Sequence, residues 1–449
     1  MPRVLIVTYQ WLPMFSVGVK HVANLCRYLP AAGWEPHILT KDWSEGPAPE
    51  DAPWGMSEQP IDATPSLRHA AMLPVTLAPY ARRDNRWLRS HDRLVASRDE
   101  TSSRADTIKR RALQLAYPYY GHFPDMHRGW VEPAVAAGLS AIRQYGIGAV
   151  VSVCPPATSH VVGGEIARRA DIPWVTVFTE LGAFHQQHWQ TRAITKRWMR
   201  GASRASSVSP EMRDYVRDNY GIDGDVVVAP FDPEERRVAP HRAEGAPMRI
   251  VHTGSIRAND QQPELLFDAL DELVREDPAV LERLTVDLVG SRADAWLGEL
   301  LADRRCAPIV RLTPTVSPDV AVKMQREADL LLIFNRQDAE SGGSLSYPSK
   351  LFEHWNASRP TIAVGADQQG FVSHLLAESE SGEVAENASA LANILRRNLG
   401  ELRDTGIVAF RGDEGVITRY AAPDQAKRLG ALLDAASAER FGSWQRARR

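Results

Sequence analysis

The sequence predicts two tandem α/β domains, each a parallel sheet with helices on both faces, and a ligand crevice where the carboxyl ends of the two sheets face each other. Three observations predict it. The chain has 449 residues, more than a single hydrophobic core usually organises. Short apolar, β-branched runs recur along it with amphipathic stretches between them, the pattern of strands buried on both faces under crossover helices. From Pro230 to Met248 that rhythm lapses into prolines and mixed charge, which reads as a linker.

In order, the strands of the first half are expected at Val4 to Val7, Glu35 to Leu39, Ala149 to Val153, Trp174 to Phe178, Ser206 to Val208 and Val226 to Ala229. Those of the second half are expected at Arg249 to Thr253, Thr285 to Val289, Val310 to Thr313, Leu330 to Phe334 and Thr361 to Val364. The domains are therefore 1–230 and 249–420, with the linker at 231–248 and a helix and tail at 421–449. A stretch at about 76–112 breaks the pattern, with ten Lys or Arg against five Asp or Glu. It reads as solvated helices with internal ion pairs, or as basic helices whose Trp87, Leu88 and Leu94 dock on anionic lipid. Nucleic acid is the weakest reading because no binding motif accompanies the charge.

Composition excludes several classes. With 44% hydrophobic and 24% charged residues and a formal charge of -3, the chain has no global bias toward polyanions, so no nucleic-acid partner is expected. Cys26, Cys154 and Cys306 match neither a metal-ligand spacing nor a disulfide framework and read as buried small hydrophobes. The histidines are scattered, and no metal site is expected. Asp223-Gly224-Asp225 reads as a plain turn before a strand. The three spaced glycines of a dinucleotide fingerprint and the P-loop signature are both absent. No window reaches the ~20 apolar residues that span a bilayer. The chain opens on a strand-like run rather than a secretory leader, so a cytoplasmic address is expected, at the inner face of the membrane if the insertion docks on lipid.

The strongest chemical segment is Ser346-Tyr347-Pro348-Ser349-Lys350-Leu351-Phe352-Glu353-His354-Trp355, followed by Arg359-Pro360 and a strand. Proline in a first helical turn makes a helix N-terminus whose amides attract a diphosphate. Lys350 adds a point charge, and Glu353, about one turn on, is placed to accept hydrogen bonds from a ribose diol. A capped surface helix with a solvated Lys and Glu would carry the same residues. Thr179-Glu180 follows a strand end, where functional side chains gather, with His185 and His188 downstream.

Pro348 to Glu353 ahead of an Arg-Pro-initiated strand resembles the donor-site helix of GT-B glycosyltransferases, in particular the family 4-like branch. Ser16-Val17-Gly18-Val19 resembles that family's N-terminal glycine loop, and Cys154-Pro155-Pro156 to His160 its proline-proline loop. Pro124-Asp125 through Gly129-Trp130, Thr253-Gly254-Ser255-Ile256 and Arg326-Glu327-Ala328-Asp329-Leu330 are similar to further family segments.

The resemblance implies two Rossmann-like domains and a transferase that moves a sugar from a nucleotide diphosphate donor to an acceptor, with retention and without metal or other cofactor. It implies catalytic roles for Glu180, His185, Arg257 and Lys350. Donor contacts fall to Gly18, Gly254, Ser255, Gly342, Gly343, Ser344, Ser349, Leu351 and Glu353. The chain departs from the family at Leu345, where a first glutamate is usual, and at Ser255 and Asp260, where phosphate-clamping Arg and Lys are usual. Glu340 is a candidate replacement for the first, and Arg257 for the second. A nucleotide-sugar epimerase of the same fold and a catalytically silent nucleotide-sugar-binding protein are the rival readings. Nothing in the sequence selects the sugar, the base, the acceptor or an oligomeric state.

Overall fold

A computed structural model describes residues 1–44, 57–58, 64–80, 125, 127–180, 195–236, 245–258, 261–290, 295–335 and 349–447. The chain divides into two compact units, one of Met1–Val228 with Ala426–Arg449, the other of Ala229–Gln425.

The first unit holds β1 (Arg3–Val7), β2 (Glu35–Lys41), β3 (Val75–Ala78), β4 (Ile147–Cys154), β5 (Trp174–Phe178), β6 (Arg204–Ser207) and β7 (Gly224–Val226). They form one parallel sheet in the order β3-β2-β1-β4-β5-β6-β7. Met14–Phe15 and Ser57–Glu58 make a separate antiparallel ladder. Alternate residues of the central strands, Val4 and Ile6, Val151 and Val153, Val175 and Val177, join one core. That core is completed by α1 (Val17–Tyr28), α2 (Pro65–Met72) and the long C-terminal helix Ala422–Ala447 through its Leu429, Leu432, Leu433 and Ala436. The opposite face packs under α3 (Val131–Tyr145) and α4 (Thr158–Ala170). Burial on both faces is why these strands read as unbroken apolar runs rather than alternating ones.

The second unit holds β8 (Met248–Thr253), β9 (Leu284–Val289), β10 (Val310–Thr313), β11 (Leu330–Phe334), β12 (Thr361–Val364) and β13 (Gly382–Ala385). Their parallel order is β10-β9-β8-β11-β12-β13. Ile250, Leu288, Leu330 and Leu332 face a core shared with α5 (Glu264–Glu276) and α6 (Ala388–Thr405). Val251, Val289 and Leu331 face the other way, against Ala328 and Ala357 at the ends of α7 (Pro318–Glu327) and α8 (Lys350–Ala357). The order steps outward from β8 in both directions, which is the reversal that opens a crevice at the carboxyl ends of such sheets.

Four expectations need correction, three of them at sheet edges. β3 and β13 were not expected; β3 leaves Val75 39% and Leu77 52% exposed, so neither burial nor an apolar run marked it. The strand expected at Val226 to Ala229 begins instead at Gly224, so Asp223-Gly224-Asp225 is no free turn. A Cβ on Gly224 would lie 1.9 Å from the Ala205 carbonyl oxygen, and Asp225 pairs with Arg428 at 3.2 Å. The strand expected at Ser206 to Val208 starts two residues earlier and ends one earlier, at Arg204–Ser207. Residues 81–112 of the basic insertion lie outside the described residues. The three cysteines are free and buried, and no described helix is long and apolar enough to cross a membrane.

Candidate functional site

In the second unit the chemistry gathers at the carboxyl ends of β8 and β9. Gly254, the residue after β8, has φ +121°, a backbone that side-chain-bearing residues rarely adopt. A Cβ there would stand 2.4 Å from both Cε and Nζ of Lys350. The Lys350 ammonium therefore rests on the bare face of Gly254, and any side chain would displace it. Gly290, after β9, has φ +85°, and a Cβ on it would meet the Gly254 backbone at 3.2 Å.

Lys350 opens α8. Ser349, its N-cap, makes no side-chain capping bond. A helix start leaves its first amides without partners inside the helix, so this end presents N–H groups and the positive end of the helix dipole beside the ammonium. Packing fixes the helix in place. Phe352 and Trp355 meet edge to face at 5.0 Å, the Trp355 indole donates to Ser381 Oγ at 2.6 Å, and both side chains are buried. Each such burial contributes ~2 kcal/mol. Leu351 is buried too, so its side chain packs in the core and its backbone amide is the part it can offer a ligand.

Glu353, one turn into α8, is half-buried. Its Oε2 lies 3.5 Å from Nε2 of the buried Gln325, which also donates to Thr253 Oγ1 at 2.7 Å. Burial lowers the Lys350 pKa below the ordinary lysine value; the Glu353 carboxylate opposes this, and the Arg257 guanidinium adds to it. Ser255 and Arg257 are exposed on the loop after β8. Gln261 fastens that loop, accepting from the Arg257 amide at 2.8 Å and donating to the Phe334 carbonyl at 2.9 Å. Two buried histidines adjoin. His252 donates from Nδ1 to the Leu332 carbonyl at 2.9 Å, and burial, then the Lys350 charge, pushes its pKa down to about 3. His354 bonds Thr361 Oγ1 at 3.0 Å, and burial, then His252 and Lys350, holds it well below the usual histidine range. Both are neutral at pH 7 and add nothing to the charge of Lys350 and Arg257.

In the first unit, Gly18 is the second residue of α1 rather than part of a free loop. Ser16 caps that helix, accepting from the Val19 amide at 3.3 Å and donating to Gln10 Oε1 at 2.5 Å. A Cβ on Gly18 would make only ordinary contacts at 3.6 Å and 3.8 Å, so the unit's own packing does not demand glycine there. Glu180 is exposed just past β5. Asp125 caps α4 from outside it, accepting from the Thr158 amide at 2.8 Å, the Thr158 hydroxyl at 2.5 Å and the His127 amide at 2.9 Å. At the ends of β1 and β2, buried Tyr9 packs on His127 at 4.3 Å, and Lys41 Nζ stands 3.9 Å over the Trp43 ring.

The structure thus brings Gly254, Ser255, Arg257, Ser349, Lys350 and Glu353 to one end of the second sheet. Gly18 and Glu180 stand past carboxyl ends of strands of the first sheet. His185, Glu340, Gly342, Gly343 and Ser344, with Asp260 and Leu345, lie outside the described residues. Sequence reasoning missed Gln325, Gln261 and the histidine pair. The only cue to Gln325 is its place just before Arg326-Glu327-Ala328-Asp329, because a neutral amide on a helix has no spacing signature.

A family of glycosyl transferase 4-like domains matches residues 18–232. The chain is 26% identical over 245 residues to a D-inositol 3-phosphate glycosyltransferase of Geodermatophilus obscurus. The match spans 48% of this chain and 52% of that relative, about half of each. Its fold is similar to that of Anabaena HepE in complex with UDP and glucose, with TM-score 0.61, 12% identity and coverage of 97% and 100% of the two chains. It is also similar to a putative UDP-N-acetylglucosamine 2-epimerase from Listeria monocytogenes, with TM-score 0.51, 10% identity and coverage of 96% and 96%. The fold is therefore the two-domain α/β GT-B fold.

Proposed function

We propose that the chain transfers a sugar from a nucleoside diphosphate carrier, taken at the carboxyl end of the second unit's sheet, to an acceptor taken by the first unit. The observation that carries this is the Lys350 ammonium seated on Gly254 at the start of α8, with Glu353 one turn away. As the bond from anomeric carbon to phosphate oxygen breaks, negative charge grows on the departing diphosphate. An ammonium, helix-start amides and the Arg257 guanidinium stabilise that charge without a metal or other cofactor. Glu353 accepts from the ribose hydroxyls. Retention is the expected outcome, the departing phosphate oxygen taking the acceptor's proton, with Glu180 and His185 orienting the acceptor. HepE, whose structure holds UDP and glucose, suggests UDP-glucose as the first donor to try. The basic excess at 76–112 makes anionic or membrane-borne acceptors the class to screen first.

The test is incubation with a panel of nucleotide sugars and acceptors, following free UDP and the sugar by chromatography and NMR. Acceptor-dependent UDP release, undiminished by EDTA, is expected. A changed sugar without UDP release would make the protein an epimerase, and neither change a silent binder. Lys350→Ala should lower kcat by about a hundredfold or more, the cost of losing one preorganised transition-state donor. Turnover within twofold of the native protein would remove Lys350 from the reaction.

A further inference from the structure

We propose that Gln325 is a positioning residue for nucleotide binding, orienting the Glu353 carboxylate toward the ribose. The proposal rests on the donor site just described.

Gln325 lies near the end of α7, a helix that supplies none of the expected site residues, and its side chain is 2% exposed. One amide nitrogen reaches two groups, Thr253 Oγ1 at 2.7 Å and Glu353 Oε2 at 3.5 Å. Those groups belong to the last residue of β8, immediately before Gly254, and to the second functional side chain of α8. A single amide thus ties the strand end that bears the phosphate glycine to the helix that bears the ribose carboxylate. The frame behind it is held from two sides: Arg359 donates to the Arg326 carbonyl from Nε at 3.0 Å and Nη2 at 2.7 Å, and Arg326 donates to the Glu235 carbonyl at 2.5 Å.

The chemistry of this position is specific. A primary amide carries two N–H donors on one nitrogen, so it can hold Thr253 and a carboxylate together without adding charge. A carboxylate there would repel Glu353. A lysine would pair with it and compete for the oxygens that the ribose hydroxyls need. With one Glu353 oxygen engaged by the amide, the other is left for the ribose, and the side chain is spared part of the rotamer search that a free glutamate makes on binding.

Titration calorimetry at constant salt tests this with UDP and with 2′,3′-dideoxyuridine diphosphate, which lacks both ribose hydroxyls. Gln325→Met, close in volume and without donors, should weaken UDP by about fivefold to tenfold, the worth of one ordinary hydrogen bond. It should leave the dideoxy nucleotide unchanged, and Gln325→Met combined with Glu353→Ala should bind UDP as Glu353→Ala does alone. Equal losses for both nucleotides, or additive losses in the double variant, would overturn the proposal and leave Gln325 a packing residue. If Glu353→Ala itself fails to discriminate the two nucleotides, the ribose role of Glu353 falls, and this proposal with it. Gln325→Glu supplies an independent reading should the methionine variant fold poorly. Its UDP affinity relative to the native protein should fall as pH rises and both carboxylates ionise, since like charges so close cannot both be ionised cheaply. A ratio independent of pH would also overturn it.

Discussion

At the scale of single residues, the site depends on one contact between a glycine and a lysine. Gly254→Ala puts a methyl group where Cε and Nζ of Lys350 now lie and forces a side-chain-bearing residue to φ +121°. The lysine's end is flexible and can swing away, so the fold should survive at a cost of about 1–3 kcal/mol from backbone strain. Nucleotide affinity should not survive, and calorimetry beside a thermal melt separates the two effects. Lys350 itself shows a conflict between stability and function. Its folded pKa is below the unfolded value, so in the window between them the unfolded chain binds a proton that the folded one does not, and stability rises with pH toward 10.5. At neutral pH the charge is present and unfavourable to folding. Lys350→Met should therefore raise the melting temperature while weakening nucleotide binding. A lower melting temperature would mean that the attraction of Glu353 outweighs the desolvation.

Among elements, α4 illustrates how a motif recognised in the sequence can have a different role in the fold. The Pro-Asp segment was legible as a family feature, yet its aspartate does helix capping, accepting from two groups of Thr158 and from the His127 amide. Asp125→Ala leaves those donors without their acceptor and should cost about 2 kcal/mol. In a unit of this size that lowers the melting temperature by about 4 °C, ~2 °C per kcal/mol. Asp125→Asn, which keeps one acceptor oxygen, should lose less. A melt unchanged in both variants would show that water replaces the carboxylate without loss. Helix α8 was legible for the opposite reason, because its capping residue, charges and apolar face all lie within one short run of sequence.

At the scale of the molecule, buried histidines in both units are held uncharged: His21 with pKa about 4, His160 and His252 about 3, and His354 well below 6.5, in each case chiefly through burial. Below pH 6.5 the unfolded chain takes up protons at these rings and the folded chain does not. Stability is therefore intact above that pH and is lost as pH falls toward 4, with each such proton steepening the loss by ~1.4 kcal/mol per pH unit. The urea midpoint, followed separately for the two units because two cores need not unfold together, should drop steeply over that interval. A midpoint flat from pH 7 to pH 4 would contradict neutral burial of these rings. His21 and His160 belong to one unit, His252 and His354 to the other, so both should weaken.

The amino-acid sequence determined by itself what depends on neighbours along the chain. The central strands β1, β5, β11 and β12 were legible because burial on both faces demands continuous apolar runs. So was the helix start at Lys350 with Glu353 one turn on, since helical period alone places them on one side. The tertiary structure decided the edges and the meetings. β3, β7 and β13 are short and partly exposed, and pairing with a neighbour rather than composition makes them strands. Gly254, Gln325 and Glu353 are remote in sequence. They meet because the order β9-β8-β11-β12 sets the end of β8 beside the helices leading into and out of β11. That placement follows from which strands pair in three dimensions, a long-range choice that no local run of residues encodes.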